Sequence, residues 1–171
     1  MRTSHRLDLM VLPAGPDRRP DPEAFARLID VWQAIGALTV EPGRLRGGPE
    51  AAVVLPGGFA GLRLDLPSLP ALYANEQGGF RVPCPGCGAP LAREFSAAIA
   101  AWRRGGPRRL VCPSCAQGQD LAAAEAAPPV GIALGAVIFM DVGGEALAPT
   151  ARAALEAVLG PEPRALLRRP S

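Results

Sequence analysis

The chain contains no lysine: all eighteen of its basic residues, in a sequence of 171, are arginine. This absence excludes Schiff-base chemistry on a lysine and excludes the phosphate-binding lysine of a P-loop. Histidine is almost missing too, since His5 is the single one and lies near the amino terminus. Neither a Ser–His–acid nor a Cys–His catalytic set can be assembled around it. The sequence therefore predicts a protein that is not an enzyme.

Long apolar runs are missing as well. The longest one, residues 130–142, falls short of the roughly 20 residues that a membrane helix needs, so we expect no membrane span. Residues 7–14 carry Asp8 within a short apolar stretch, which argues against a signal peptide. These absences favour a cytoplasmic location, and the abundance of Ala, Gly, Pro and Arg is typical of a GC-rich bacterial genome. In a reducing compartment, four cysteines favour a metal over disulfides.

Apolar periodicity predicts an α+β protein. A strand is predicted over residues 6–12, and a helix follows with Asp21 as its N-cap and Pro22 at its first position. Gly36 is expected to end that helix. One face of the helix carries an apolar stripe of Phe25, Leu28, Ile29, Trp32 and Ile35.

The rest of the body is predicted from shorter segments. Residues 51–55 and 62–66 are predicted strands, and residues 130–142 are predicted to form one buried strand. A last helix is expected to begin with Thr150 as its cap. After it we expect a basic tail of Arg164, Arg168 and Arg169.

The fold predicted from these elements is a small antiparallel or mixed sheet with two main helices, and a ferredoxin-like arrangement is one candidate for it. The first and last strand–loop–helix segments have the same order, which leaves an internal repeat open. The predicted domains are an N-terminal α+β half (1–79), an inserted cysteine module with its own helix (80–118), and a linker with the C-terminal strand–helix half (119–171).

All four cysteines belong to two Cys-Pro-x-Cys pairs. Cys84 and Cys87 form the first pair, and Cys112 and Cys115 form the second. A C-x-x-C spacing lets two thiolates on one tight loop reach the same ion, and two such loops complete a tetrahedral site. Backbone N–H groups of each loop can hydrogen-bond the sulfurs. The spacing predicts that the four cysteines hold one metal ion.

Each pair resembles the knuckle of a zinc ribbon, the rubredoxin-type loop in which Pro follows the first Cys and Gly often follows the second. Pro85 and Gly88 match this pattern and so does Pro113, but Ala116 stands where Gly is expected. The resemblance covers about a fifth of the chain and implies a fold element, not an activity. It implies one structural zinc ion; iron, or a disulfide or redox pair, is the alternative. Four protein ligands close the site to water, which favours a structural role.

The cysteine module is basic. Residues 80–116 hold six arginines and one glutamate, whereas the remaining residues hold twelve arginines and fifteen acids. We predict that this surface contacts a protein partner in an interaction or assembly role. Nucleic acid is the alternative, because Arg binds phosphate and Trp102 could stack on a base, although its place on an apolar stripe favours the core. The candidate contact residues are Arg103, Arg104, Arg108 and Arg109.

A carboxylate site of an unrecognised enzyme is the second alternative. Asp141 ends the predicted buried strand just before Gly143, a common position for residues of α/β active sites. The Gly-rich stretch 55–61 lacks the spacing of a phosphate-binding motif. The sequence leaves the partner, the pathway and the oligomeric state open. The candidate carboxylates are Asp8, Asp65, Asp141 and Glu145.

Overall fold

The computed structural model of the protein describes residues 7–75 and 79–169. Within these residues it forms three α-helices, and its sheets are antiparallel, which confirms the α+β prediction. The helices are α1 (Pro22–Ala34), α2 (Ala92–Arg103) and α3 (Pro149–Leu159). The strands are β1 (Asp8–Leu12), β2 (Leu38–Glu41), β3 (Arg44–Gly47), β4 (Phe59–Asp65), β5 (Ala71–Ala74), β6 (Arg109–Val111), β7 (Gly118–Asp120), β8 (Val130–Ala133), β9 (Ala136–Val142) and β10 (Arg164–Arg168).

The body is built on a six-stranded sheet with the order β10-β1-β9-β4-β3-β2. Helices α1 and α3 pack together on one face of this sheet, because alternate strand residues such as Leu9 and Phe139 point toward them. Helix α1 begins where predicted, since the Asp21 carboxylate accepts hydrogen bonds from the N–H groups of Glu23 and Ala24. Its predicted stripe is buried at Phe25, Leu28 and Trp32, whereas Ile35, just past the last helical residue, is 50% exposed.

The opposite face of the sheet is only half covered. A two-stranded ribbon of β5 and β8 lies over its β10-β1-β9 half, where Met10 and Leu12 pack against Tyr73 and Ala133. Among the described residues, no element forms a corresponding layer over the β4-β3-β2 half of this face. The open half leaves a depression of about 930 Å³ on the sheet.

The four-cysteine module packs on the outer side of the ribbon. Strands β4 and β9, which flank the module in the chain, pair directly, with Asp65 opposite Ala136. The module holds α2 and the β6–β7 hairpin, and its core forms around Phe95. Ala74 and Ile132 of the ribbon belong to this second core, so the ribbon lies between two apolar layers. The same core includes Leu121 and Ala124, beyond the end of the predicted segment 80–118.

Two strand predictions were wrong. Residues 51–55 form a 3-10 turn at Ala51–Val53 instead of a strand, and Val54 and Leu55 reach the core from that turn. A five-residue apolar run can be buried from either conformation, so its composition did not decide between them. The run 130–142 is two strands, β8 and β9, of different sheets. The chain turns at Gly135, where a Cβ would lie 2.5 Å from the Asp65 carbonyl oxygen.

The C-terminal segment differs from its prediction in two ways. Helix α3 begins at Pro149 after Ala148, so Thr150 lies inside the helix and is not its cap. The predicted basic tail is instead the edge strand β10, which pairs with β1 along its length. Arg168 is held there because its Nη2 lies 2.7 Å from Oδ2 of Asp8.

Candidate metal centre

The two cysteine loops have the same hydrogen-bonding pattern. In the first, the N–H of Gly88 donates to the Cys84 carbonyl at 2.9 Å; in the second, Ala116 donates to the Cys112 carbonyl at 2.9 Å. Each loop is closed by a second bond, from Cys84 N–H to the Ala89 carbonyl and from Cys112 N–H to the Gln117 carbonyl. The second loop therefore reproduces the first although its sequence departs from the pattern.

The residue after each second cysteine adopts a left-handed conformation, which explains why the zinc-ribbon pattern often has Gly there. Gly88 has φ 73° and Ala116 has φ 60°. Glycine adopts this conformation readily, whereas a residue with a Cβ is destabilised there by about 1–2 kcal/mol. The second loop thus holds a strained alanine at the position where the first loop has glycine.

The four sulfur atoms converge on one point. Sγ of Cys84 lies 3.6 Å from Sγ of Cys115, and Sγ of Cys87 lies 3.7 Å from Sγ of Cys112. All four atoms lie within 4.8 Å of one another. A tetrahedral ion with metal–sulfur bonds of about 2.3 Å needs sulfur–sulfur separations of about 3.8 Å. A disulfide would need about 2.05 Å, so the cysteines are free thiols whose arrangement fits a metal ion.

Burial differs within each pair in the same way. The first cysteine of each loop is part of the module core, with Cys84 3% and Cys112 1% exposed. Cys87 and Cys115 are exposed. The site therefore joins the apolar interior of the module to its surface.

Backbone N–H groups and neighbouring thiols set the ionisation of the site. Burial opposes the Cys112 thiolate, but the N–H groups of Cys115 and Ser114, together with the thiols of Cys84 and Cys87, outweigh it and lower the pKa of Cys112 to about 6. The Gln117 N–H favours the Cys115 thiolate, yet the adjacent Cys87 sulfur and burial raise the pKa of Cys115 to about 12.

Cys87 behaves like Cys115. Its own backbone partner, the Ala89 N–H, favours the thiolate, and so does Cys115; burial and the sulfurs of Cys112 and Cys84 oppose it, and its pKa is raised. One thiolate in the cluster thus disfavours ionisation of its neighbours. A cation at the centre would reverse that effect and allow all four thiols to ionise.

The predicted contact arginines do not share one environment. Arg103, Arg104 and Arg109 are exposed at the end of α2 and the start of β6. Arg108 instead bridges two carboxylates, with Nε 2.9 Å from Asp120 Oδ1 and Nη1 3.0 Å from Asp17 Oδ1.

Arg108 therefore ties the module to the loop between β1 and α1. The two carboxylates raise the pKa of Arg108, and its guanidinium lowers the pKa of Asp17. Sequence reasoning missed both partners; Asp17 lies 91 residues before Arg108, and nothing in its local sequence marks it. Trp102, the candidate base-stacking residue, is partly buried against the module core.

The candidate carboxylates fall in separate places. The Asp8 carboxylate accepts hydrogen bonds from the Arg168 guanidinium and from the backbone N–H of Asp141. Asp65 lies at the other end of the β4–β9 pair and accepts a bond of 2.6 Å from the Tyr73 hydroxyl. Burial and that bond raise the pKa of Tyr73. Glu145 is exposed.

None of the helices formed by residues 7–75 and 79–169 combines the length and the hydropathy that crossing a bilayer requires. Comparison of the chain with protein-family models, with curated protein sequences and with solved structures gave no match. Within the described residues, the four-cysteine cluster is the group of side chains that could hold a metal ion.

Proposed function

We propose that the four cysteines hold one structural zinc ion and that the module around them is a zinc ribbon. The observation that carries this proposal is the convergence of four sulfurs at separations that suit a tetrahedral ion. Four thiolates leave no open position for water, so the ion would stabilise the module and would not act in catalysis. Four cysteines that form no disulfide also suit a reducing cytoplasm.

Metal analysis of the purified protein tests the ion. We expect one zinc per chain, and about none in a Cys84→Ser/Cys112→Ser variant. Iron would instead give a coloured protein with sulfur-to-metal absorption bands. If the purified wild-type protein is colourless and contains no metal, and its module is still folded, the proposal is wrong.

The plan of the body supports the ferredoxin-like candidate. Without the β2–β3 hairpin and without the elements from β5 to β8, the chain order is β1, α1, β4, β9, α3, β10, and the sheet order is β10-β1-β9-β4. This is the arrangement of a β-α-β-β-α-β unit. We therefore propose that a ferredoxin-like body carries the zinc ribbon in its β4–β9 connection.

For the biological role we propose that the protein is not an enzyme and acts in a protein assembly. Support comes from the exposed surface of the module: its second cysteines lie at that surface, and Val111 beside Cys112 is 47% exposed. Three arginines add positive charge there, so a partner with an acidic surface fits best. They are Arg103, Arg104 and Arg109.

A capture experiment with matched variants tests the partner. The change Arg103→Ala/Arg104→Ala/Arg109→Ala removes the exposed charges, and Arg108 is left intact because it binds Asp17 and Asp120 within the chain. We expect partners captured by the wild type to be lost by this variant. The control variant removes the same charge from elsewhere on the surface and should retain them; it changes Arg27, Arg152 and Arg169 to Ala. Equal capture by both variants would overturn the proposed contact and leave the zinc proposal standing.

A further inference from the structure

The open half of the central sheet carries an unusual group of charges. Leu45 of β3 points toward the helices, so its neighbours Arg44 and Arg46 point to the opposite, uncovered face. On β4, Gly61 contacts Met140 on that same face, and Arg63 follows it by two residues. Three exposed guanidinium groups therefore lie on the face that the ribbon leaves open.

Strand register brings these arginines around one glycine. Arg46 is directly opposite Gly61, and one further step of the same antiparallel register places Arg44 opposite Arg63. Like charges directly opposite each other on a sheet are destabilising. Glu41 offsets part of this charge, 3.7 Å from Arg46. Among the described residues, none forms a hydrogen bond or an ion pair with Arg44 or Arg63.

The shape of the surface fits a ligand at this point. The arginines line the depression of about 930 Å³, within the size range of small-molecule sites. Gly61 forms its floor, and a Cβ there would lie 2.6 Å from Cε of Met140. Asp141 of β9 lines the depression on the side away from β3, and the positive charge of the lining comes from the arginines of β3 and β4.

We propose that this depression binds a small organic phosphate, with the phosphate group held by Arg44 and Arg63 and assisted by Arg46. One guanidinium group can donate two parallel hydrogen bonds to the oxygens of a phosphate. An anion bound between Arg44 and Arg63 would also offset the repulsion between their charges. The uncharged part of the ligand would lie over Gly61 and Met140. A nucleic-acid strand is less suited, because the residues lining the depression include no aromatic side chain on which a base could stack. The proposed phosphate site is separate from the four-cysteine module, and the inference does not rest on the function proposed for that module.

Calorimetric titration of the metal-loaded full chain tests the site, with adenosine 5′-monophosphate as the probe and adenosine as the matched ligand that lacks phosphate. We expect binding of the monophosphate, at least tenfold weaker binding of adenosine, and at least tenfold weaker monophosphate binding by the Arg44→Gln/Arg63→Gln variant. The Arg27→Gln/Arg152→Gln control removes the same charge from exposed positions on α1 and α3 and should bind as the wild type does.

Three results would overturn the inference: no monophosphate binding by the wild type, equal binding by adenosine, or equal loss in both variants. A ten-nucleotide oligothymidylate provides the last arm. If it binds more tightly than the monophosphate, with affinity that falls steeply as salt is raised, the occupant is nucleic acid and the small-phosphate proposal is wrong.

Discussion

The two-stranded β5–β8 sheet has two apolar sides. The two cores that cover these sides differ in composition. On one side, Tyr73 and Ala133 pack on a sheet whose other face is closed by two helices, so apolar side chains complete that core. On the other side, Ala74 and Ile132 pack on the module, whose small core includes two cysteine thiols. We therefore expect burial alone to stabilise the body, and we expect the stability of the module to depend on an ion bound by its cysteines.

The largest difference between the module and the body should appear in their amide protection when the metal is removed. We expect a chelator, or Cys112→Ser, to abolish amide protection in β6, β7 and α2 while β1 and β9 remain protected, because structural zinc contributes on the order of 10 kcal/mol to small modules of this kind. Hydrogen exchange followed by mass spectrometry makes the measurement. Ser114→Ala, in the same loop, is the control. If the amides of the module stay protected without metal, the expectation that only the module depends on an ion is wrong.

The body has its own vulnerable point in the pair of Asp8 and Arg168. Asp8 is 6% exposed, and Arg168 is paired to it at 2.7 Å with a buried Nε that has no hydrogen-bond partner within residues 7–75 and 79–169. Asp8→Asn should lower the free energy of unfolding of the body by about 2 kcal/mol. This loss is smaller than the one expected on breaking a fully buried ion pair, because Arg168 is partly exposed. Denaturant unfolding measures this, with the exposed Asp30→Asn as control. Metal affinity should not change; a parallel loss would mean that the regions are not independent.

The metal site could be predicted from the sequence because its signal is local. Two residues separate the cysteines of each pair, and the conformations of Gly88 and Ala116 follow from the same short loops. Helix α1 was predictable for the same reason, since Asp21 and Pro22 adjoin it.

The features that sequence could not provide depend on distant contacts. Arg108 was grouped with three exposed arginines, and nothing near it in the chain indicated that Asp17 would bind it. The run 130–142 is apolar throughout because both of its strands are buried, so its composition could not show that they belong to different sheets. An apolar sequence predicts that a residue is buried, but it does not predict which sheet the residue belongs to.

The two cysteine loops allow a finer comparison, since they differ at one left-handed position. Ala116→Gly should tighten metal binding about fivefold by removing about 1 kcal/mol of strain, and Gly88→Ala should weaken it by a similar factor. A Cβ at Gly88 would have no atom within 4 Å, so the effect there comes from the backbone alone. Competition with a chromophoric chelator gives the affinities. The double variant should bind nearly as the wild type does; a strong departure would show that the loops are not equivalent.

The smallest effect is expected where the two regions are joined, at the pair of Asp17 and Arg108. Because Arg108 lowers the pKa of Asp17, this pair stabilises the folded state above the unfolded pKa of 3.8 and stops doing so as pH falls through the lower folded value. Asp17→Asn should therefore lower the melting temperature by about 2 °C or less near neutral pH, since Asp17 is exposed. The difference from wild type should shrink below pH 4 and also in high salt, as melting curves across pH would show. A difference that grew on acidification would mean that the carboxylate of Asp17 opposes the contact between body and module.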